Sequence, residues 1–181
     1  MVLLHSEQKL NIGNSAPDFT LKDINGNHVS LSNFDKPILI IFMCNHCPYV
    51  QSKFQRIIDI QNKYKDEIVV IGINSNSNPD CPEDSFDNMK KYSKEYDFNF
   101  LYLFDKTQEV SKKYGAVCTP DPFLFDSEKK LYYHGRFDDA LSPEQTPKEF
   151  DMEDAIDKML KGEEPSKELK PSMGCSIKWQ K

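Results

Sequence analysis

Cys44 and Cys47 stand three positions apart and are the residues of this sequence with the clearest potential for chemistry. Two thiols at this spacing can form a disulfide bond, so the pair indicates redox chemistry. An apolar run, 37–43, leads to Cys44, and a helical pattern begins at Pro48 directly after Cys47. The pair is therefore expected at the N-terminus of a helix, where unpaired backbone amides favour the thiolate over the thiol.

His46 lies directly before the second cysteine of the pair. A protonated imidazole placed between the two sulfurs in the sequence would stabilise a thiolate further. We therefore expect His46 to tune the reactivity of the two thiols.

The two cysteines could also serve in other ways. A zinc site usually needs four ligands, and the sequence has no second pair of this spacing. Haem attachment requires a histidine after Cys47, where this chain has a proline. Copper capture by Cys44, Cys47 and a distant histidine, His28 or His134, is a further alternative, as is simple burial of both thiols in the core. We predict that the chain needs neither a metal nor another cofactor.

The composition excludes several classes of function. The chain has 181 residues, of which 38% are hydrophobic and 29% charged, and this predicts one globular domain. Its formal net charge of −6 leaves no basic face for nucleic acid or an anionic membrane. The N-terminus lacks a basic signal-peptide region and no apolar run has membrane-spanning length, so we expect a cytoplasmic protein. The odd number of cysteines, five, excludes complete internal pairing.

The segments around the pair predict an α/β arrangement. Residues 37–43 and 68–73 are continuous apolar runs rich in isoleucine and valine, which are typical of strands buried on both faces of a parallel sheet. Apolar residues at helical spacing connect them over 48–64, and strand, helix and strand form a right-handed crossover unit. Ahead of this unit, 16–21 and 28–31 predict a β-hairpin. In this context a pair of cysteines three residues apart is typical of redox proteins.

The rest of the chain continues the alternation of helices and strands. Thr146 and Glu149 form a predicted capping box, with Pro147 at the first helical position, for a last helix that ends at Gly162. The other predicted elements are a helix that begins near Pro82, a strand at 100–104, a short helix at 108–115, and a hairpin of 122–125 with 130–133.

The predicted domain spans residues 11–162. A flexible N-terminus, 1–10, is expected to precede it, and a tail, 163–181, to follow it. The end of this tail is less polar than a solvated segment requires, so it could dock on the domain.

With these elements in order, the chain resembles the thioredoxin-fold superfamily, on the branch of the alkyl hydroperoxide reductase and thiol-specific antioxidant (peroxiredoxin-like) proteins. The motifs that carry the resemblance are 16–19, 42–48 and Thr119-Pro120 before a strand, and the match covers about residues 11–161. It implies a three-layer α/β/α sandwich with a central mixed β-sheet and an N-terminal hairpin. It also implies that Pro120 is cis and that its loop lies beside the active cysteines.

The resemblance to thioredoxins implies a thiol-disulfide oxidoreductase. In that interpretation Cys44, at the exposed edge of the helix terminus, attacks a disulfide, Cys47 resolves the mixed disulfide, and Pro120 shapes the substrate groove. A histidine before the second cysteine also resembles the periplasmic disulfide-forming protein, and this implies that Cys44 titrates below about 7, against about 8.5 for a free thiol. The implied partners are protein disulfides and a thiol reductant such as thioredoxin or glutathione.

The resemblance to peroxiredoxins implies a different order of reaction for the cysteines. It places Cys47 at the peroxide-reacting position, with Cys44 or Cys118 as the resolving thiol and a peroxide as the substrate. The threonine and proline of that family's motif correspond here to Cys44 and Ile40, and its pocket arginine has only Arg136 as a rough counterpart. A binding module that kept the fold without catalysis is the third alternative.

Three cysteines lie outside the pair. Cys118 comes two residues before Pro120, so it is either a third redox thiol beside the pair or a packing residue. Cys175 is either a resolving thiol brought by the tail or a thiol without a redox role. We predict no role for Cys81.

Overall fold

The computed structural model describes residues 2–168 and 170–180. Its strands are β1 (Leu3–His5), β2 (Thr20–Asp23), β3 (His28–Ser30), β4 (Ile38–Phe42), β5 (Val69–Asn74), β6 (Leu101–Phe104), β7 (Cys118–Thr119), β8 (Asp121–Phe125), β9 (Leu131–His134) and β10 (Met173–Ser176). Its α-helices are α1 (Pro48–Gln51), α2 (Phe54–Tyr64), α3 (Phe86–Glu95), α4 (Glu109–Tyr114) and α5 (Asp151–Leu160).

A seven-stranded mixed sheet with the order β3-β2-β6-β5-β4-β8-β9 forms the centre of the molecule. Its three middle strands, β6, β5 and β4, run parallel, and the neighbouring pairs at both ends are antiparallel. All five residues of β4 are buried, as the apolar run predicts. The hairpin of β2 and β3 and the crossover from β4 to β5 confirm the two predictions made from the sequence.

Side chains alternate along β4 and supply both faces of the sheet. Leu39 and Ile41 pack in the core cluster that also contains the buried faces of α2, α3 and α5. Ile38, Ile40 and Phe42 pack in a second cluster with the buried residues of α4. Helices thus cover both faces, which gives the three layers.

Two helices differ from their sequence patterns. The helix predicted over 48–64 is interrupted, because α1 ends at Gln51 and α2 begins at Phe54. The last helix begins at Asp151, so the capping box predicted at Thr146 and Glu149 is wrong. The backbone amide of Glu149 instead donates to Asp139 Oδ1 at 3.1 Å, which holds this segment in a loop.

A small second sheet joins the two ends of the chain to the loop before β8. Strand β10 lies between β1 and β7, and it pairs antiparallel with both. The expectation of a flexible segment 1–10 therefore does not hold for Leu3–His5, because backbone hydrogen bonds to the tail fix these residues. Among residues 2–168 and 170–180, no helix is long and apolar enough to cross a bilayer.

Candidate active site

The two cysteines of the pair lie between the end of β4 and the start of α1. Cys47 is the N-cap residue of α1, and Pro48 occupies the first helical position. Both Cys44 and Cys47 are 0% exposed. The expectation that Cys44 lies at an exposed edge is therefore wrong, because the tail strand β10 and the loop before β8 cover the pair.

Thr119 contacts both sulfurs of the pair. Its Oγ1 lies 3.4 Å from Cys44 Sγ, and its carbonyl oxygen lies 3.4 Å from Cys47 Sγ. The Thr119–Pro120 peptide bond is cis, as the resemblance implies. The structure thus brings together the pair and the proline loop that the sequence places far apart.

Strand β10 adds a third thiol to the site. Its Cys175 is the register partner of Thr119 across the β10–β7 pair and is 1% exposed. The thiols of Cys44 and Cys175 both hydrogen bond to Cys47. We call Cys44, Cys47 and Cys175 the three-thiol cluster, with Cys47 as its middle member.

The hydrogen bonds within this cluster decide which sulfur carries the charge. The bond from Cys175, followed by the bond from Cys44, holds the pKa of Cys47 far below its usual range. The same bonds raise the pKa of Cys44 and of Cys175, and burial raises both further. These shifts favour a single negative charge in the cluster, drawn toward its middle member, Cys47, and they do not support a low pKa at Cys44.

His46 forms an ion pair with a buried carboxylate. Its Nδ1 lies 2.6 Å from Asp84 Oδ2, and Asp84 is 0% exposed. The hydrogen bond to Asp84 raises the pKa of His46, while partial burial opposes the shift and the charge of Cys47 adds to it. The raised pKa favours the protonated imidazole of His46, which Asp84 holds in place.

Asp84 also fixes the backbone between the two cysteines. Its Oδ1 accepts from the backbone amides of Asn45 at 2.8 Å and His46 at 3.1 Å, and its Oδ2 accepts from Asn76 Nδ2 at 2.7 Å. Sequence analysis missed this residue, because the Pro82–Asp84 segment resembles the first turn of a helix. It forms a separate 3-10 turn that directs Asp84 inward.

We expect the substitution Asp84→Asn to lower the pKa of His46. The substitution removes the charge that stabilises the imidazolium but keeps the size of the side chain, so the pKa should fall to about 6.5 or below. NMR titration of the His46 ring protons measures this value, and Asp87→Asn, an exposed change on α3, is the control. A pKa that does not move with Asp84→Asn would contradict the assigned ion pair.

The ion pair between His46 and Asp84 makes the free energy of unfolding depend on pH. Folding raises the pKa of His46, so the pair contributes fully below the unfolded-state value of about 6.5 and its contribution is lost as pH rises through the folded value. Asp84→Asn should therefore reduce the free energy of unfolding more at pH 6 than at pH 9. Urea denaturation of both proteins at the two pH values measures this difference.

A set of possible metal ligands lies within the site. Cys44 Sγ, His46 Nδ1 and a carboxylate oxygen of Asp84 lie within 4.8 Å of one another. However, His46 Nδ1 and both oxygens of Asp84 already hydrogen bond to each other, to the backbone and to Asn76. A metal ion would have to break this network, so the geometry favours the ion pair.

The other candidate residues lie outside the three-thiol cluster. Cys118 is buried, which raises its pKa, and its sulfur lies 4.0 Å from Ser172 Oγ. Cys81 is partly exposed at the start of the 3-10 turn. Arg136, the rough counterpart of a peroxiredoxin pocket arginine, is held by Asp151 at 2.7 Å and by Glu149 at 2.9 Å.

The two histidines considered for copper have other places in the fold. His134 is buried in β9, and its Nε2 lies 2.7 Å from Asp121 Oδ1. His28 is exposed in the edge strand β3. The described structure therefore gives no copper site that combines either histidine with the pair.

A CxxC pair between a buried strand and a helix, with a cis-proline loop against both sulfurs, defines a thioredoxin-like oxidoreductase. The chain belongs to the AhpC/TSA family, whose model matches residues 12–134. The α/β fold class and the family branch predicted from the sequence are thus confirmed.

Known proteins resemble the chain at several levels. The crystal structure of an uncharacterized conserved protein from Geobacillus kaustophilus is 39% identical, covers 99% of this chain and 97% of its own, and superposes with a TM-score of 0.93. Thiol-disulfide oxidoreductase ResA of Bacillus thuringiensis is 27% identical over 127 residues, which is 69% of each chain. The thioredoxin domain of a thiol-disulfide oxidoreductase from Bacteroides vulgatus shares the fold, at 24% identity and a TM-score of 0.61 over 70% of this chain and 89% of its own.

Proposed function

We propose that the chain is a thiol-disulfide oxidoreductase in which Cys47 is the attacking thiol and Cys44 the resolving thiol. One observation carries the proposal: the sulfurs of both residues lie together against Thr119, and the hydrogen bonds from Cys175 and Cys44 lower the pKa of Cys47. A thiolate is the nucleophile in disulfide exchange. The thioredoxin-like interpretation of the sequence had the reverse order of the two cysteines, whereas the peroxiredoxin-like interpretation placed Cys47 first.

The reaction runs in two exchange steps. The Cys47 thiolate attacks one sulfur of a substrate disulfide, forms a mixed disulfide with it, and releases the other sulfur as a thiolate. Cys44 then loses its proton and attacks Cys47 Sγ, which releases the second substrate thiol and leaves a Cys44–Cys47 disulfide. The substrate gains two electrons from the cysteine pair and two protons, one from Cys44 and one from solvent.

His46 and Thr119 support this sequence of steps. The imidazolium of His46, held by Asp84, favours the negative charge on Cys47. Thr119 Oγ1 hydrogen bonds with Cys44 Sγ in the reduced protein, so it can orient that sulfur for the second step. Pro120 follows directly and fixes the loop against the pair.

Insulin reduction in the presence of dithiothreitol tests this activity. We expect the wild-type protein to accelerate precipitation of the insulin chains, Cys47→Ser to lose the acceleration, and Cys44→Ser to weaken it. Cys81→Ser is the matched control, because this thiol lies outside the three-thiol cluster. A wild-type protein that neither reduces insulin nor accepts electrons from any thiol reductant would favour a binding module without catalysis.

The proposed substrates are protein disulfides and thiols. Thioredoxin and glutathione are the proposed sources or acceptors of electrons, since their thiols exchange with a disulfide such as Cys44–Cys47. The cytoplasmic location expected from the sequence stays a prediction.

Thiol peroxidase activity is the second candidate function, and the thiolate on Cys47 favours it. In that reaction the Cys47 thiolate attacks one oxygen of a peroxide and becomes a sulfenic acid, while the other oxygen leaves as water or an alcohol. Cys44 then forms a disulfide with Cys47, and a second water leaves. Antioxidant action would follow from this reaction.

We expect slow reaction with hydrogen peroxide, at about the rate of a free thiol. The positions of the peroxidase threonine and proline hold Cys44 and Ile40, and Arg136 is occupied by two carboxylates. Stopped-flow measurement of Cys47 oxidation gives the rate. Rapid oxidation that is lost in Cys47→Ser and kept in Cys44→Ser would instead establish a peroxidase.

A further inference from the structure

We propose that Cys175 is a third redox-active thiol, which attacks the Cys44–Cys47 disulfide, displaces Cys44 and forms a Cys47–Cys175 bond. The proposal rests on the proposed function, because that function supplies the Cys44–Cys47 disulfide. It adds a second oxidised form of the enzyme, in which the C-terminal tail is covalently attached to the active site.

The position of Cys47 carries this inference. It is the middle member of the three-thiol cluster, so it is the sulfur that both other thiols contact. Cys175 comes from the far end of the chain, yet it lies beside Cys47 as closely as a hydrogen bond requires. A thiol at this position is the nearest available nucleophile once Cys47 is oxidised.

The backbone around Cys175 holds its thiol in the site. Gly174 passes so close to the proline loop that a Cβ at this position would lie 1.9 Å from the carbonyl oxygen of Thr119. Ser172 Oγ donates to the Pro120 carbonyl at 3.0 Å, and the amide of Ile177 donates to the Val117 carbonyl at 2.9 Å. Contacts on both sides of Cys175 thus fix β10 on the same loop that contacts the pair.

The exchange is balanced without an outside oxidant. Cys175 loses its proton, and its thiolate attacks Cys47 Sγ of the Cys44–Cys47 disulfide. The bond between Cys44 and Cys47 breaks, Cys44 leaves as a thiolate, and it takes up one proton. The number of disulfides stays the same, and only the partner of Cys47 changes.

Oxidation of the pair also removes the main obstacle to this step. In the reduced protein, the hydrogen bond to Cys47 is the leading cause of the raised pKa of Cys175. A disulfide on Cys47 carries no charge, so this cause disappears. The nearby Lys178 then favours the thiolate of Cys175, while burial still opposes it.

Disulfide mapping of the full-length protein tests the proposal. The reduced protein is treated with one equivalent of oxidised glutathione, quenched in acid, alkylated and digested with trypsin. Cys44 and Cys47 share one tryptic segment, which ends at Lys53, so a bond from either residue to Cys175 joins it to the tail peptide. Fragmentation of the joined peptide between Cys44 and Cys47 identifies which sulfur is bound. We expect the joined peptide in at least about a tenth of the oxidised wild-type molecules, because exchange between similar thiols leaves both disulfides populated.

Two variants show which thiol resolves Cys47 in the absence of Cys44. In Cys44→Ser, the glutathione bound to Cys47 should leave as Cys175 attacks, and the joined peptide should become the main product. Cys44→Ser with Cys175→Ser should keep the bound glutathione, whereas Cys44→Ser with Cys118→Ser, which removes another buried thiol, should not. Retention of glutathione in Cys44→Ser would overturn the proposal.

The outcomes separate this proposal from the proposed function. A wild-type protein that forms Cys44–Cys47 and reduces insulin, but gives no joined peptide, overturns the role of Cys175 alone. A wild-type protein that forms neither bond and leaves insulin intact overturns the proposed function, and the role of Cys175 with it.

Discussion

Replacing Cys47 with serine is expected to slow the first reaction with a small disulfide by at least about 100-fold, whereas replacing Cys44 should change it less than about tenfold. The reason is the distribution of charge in the three-thiol cluster. The hydrogen bonds from Cys175 and Cys44 lower the pKa of Cys47, while the pKa of Cys44 is raised. Each unit by which a thiol pKa exceeds the ambient pH removes about 90% of the reactive thiolate.

Stopped-flow absorbance with a chromogenic aromatic disulfide at pH 7 measures this first step directly. The Cys44→Ser variant should release one aromatic thiol in this first step and the second only later, as Cys175 displaces it from Cys47, whereas Cys44→Ser with Cys175→Ser should keep the second thiol on Cys47. Cys81→Ser should match the wild type. If Cys44→Ser loses the reaction and Cys47→Ser keeps it, the order of the two cysteines is the one that the sequence first suggested.

Local sequence patterns were sufficient to predict the parts of the fold that position the CxxC pair. The run 37–43 has no polar residue and is rich in isoleucine, so a buried central strand was the natural prediction, and β4 confirms it. The hairpin before it followed from short apolar segments on either side of Asn25-Gly26. These predictions succeeded because hydrophobic periodicity and turn residues act over a few positions.

The charge distribution in the site could not be predicted in the same way. It depends on Cys175, which reaches Cys47 only because a four-residue strand pairs with a two-residue strand at the proline loop. Such short strands leave no periodic pattern. The contact between His46 and Asp84 joins two loops for which spacing gives no signal. Sequence analysis therefore located the pair but neither the third thiol beside it nor the carboxylate that holds His46.

Replacing Gly174 with valine is expected to raise the rate at which N-ethylmaleimide alkylates Cys47 in the native protein by about 10-fold to 100-fold. A Cβ at this position would lie 1.9 Å from the Thr119 carbonyl oxygen, so β10 cannot keep its place on the loop. A clash of this kind costs about 1–3 kcal/mol, and every 1.4 kcal/mol shifts the opening equilibrium about tenfold. Since β10 buries both sulfurs of the pair, the open form is the one that reacts.

Timed alkylation under native conditions, followed by mass spectrometry of the tryptic segment that carries the pair, measures this rate. Met173→Val is the matched control, because it places the same side chain one position earlier in β10, where the residue is only partly buried. Its alkylation rate should stay within about threefold of the wild type, as expected for a change without a backbone clash. Equal rates for Gly174→Val and the wild type would mean that reagents reach Cys47 without displacement of the tail, and protein substrates would then need no opening of β10.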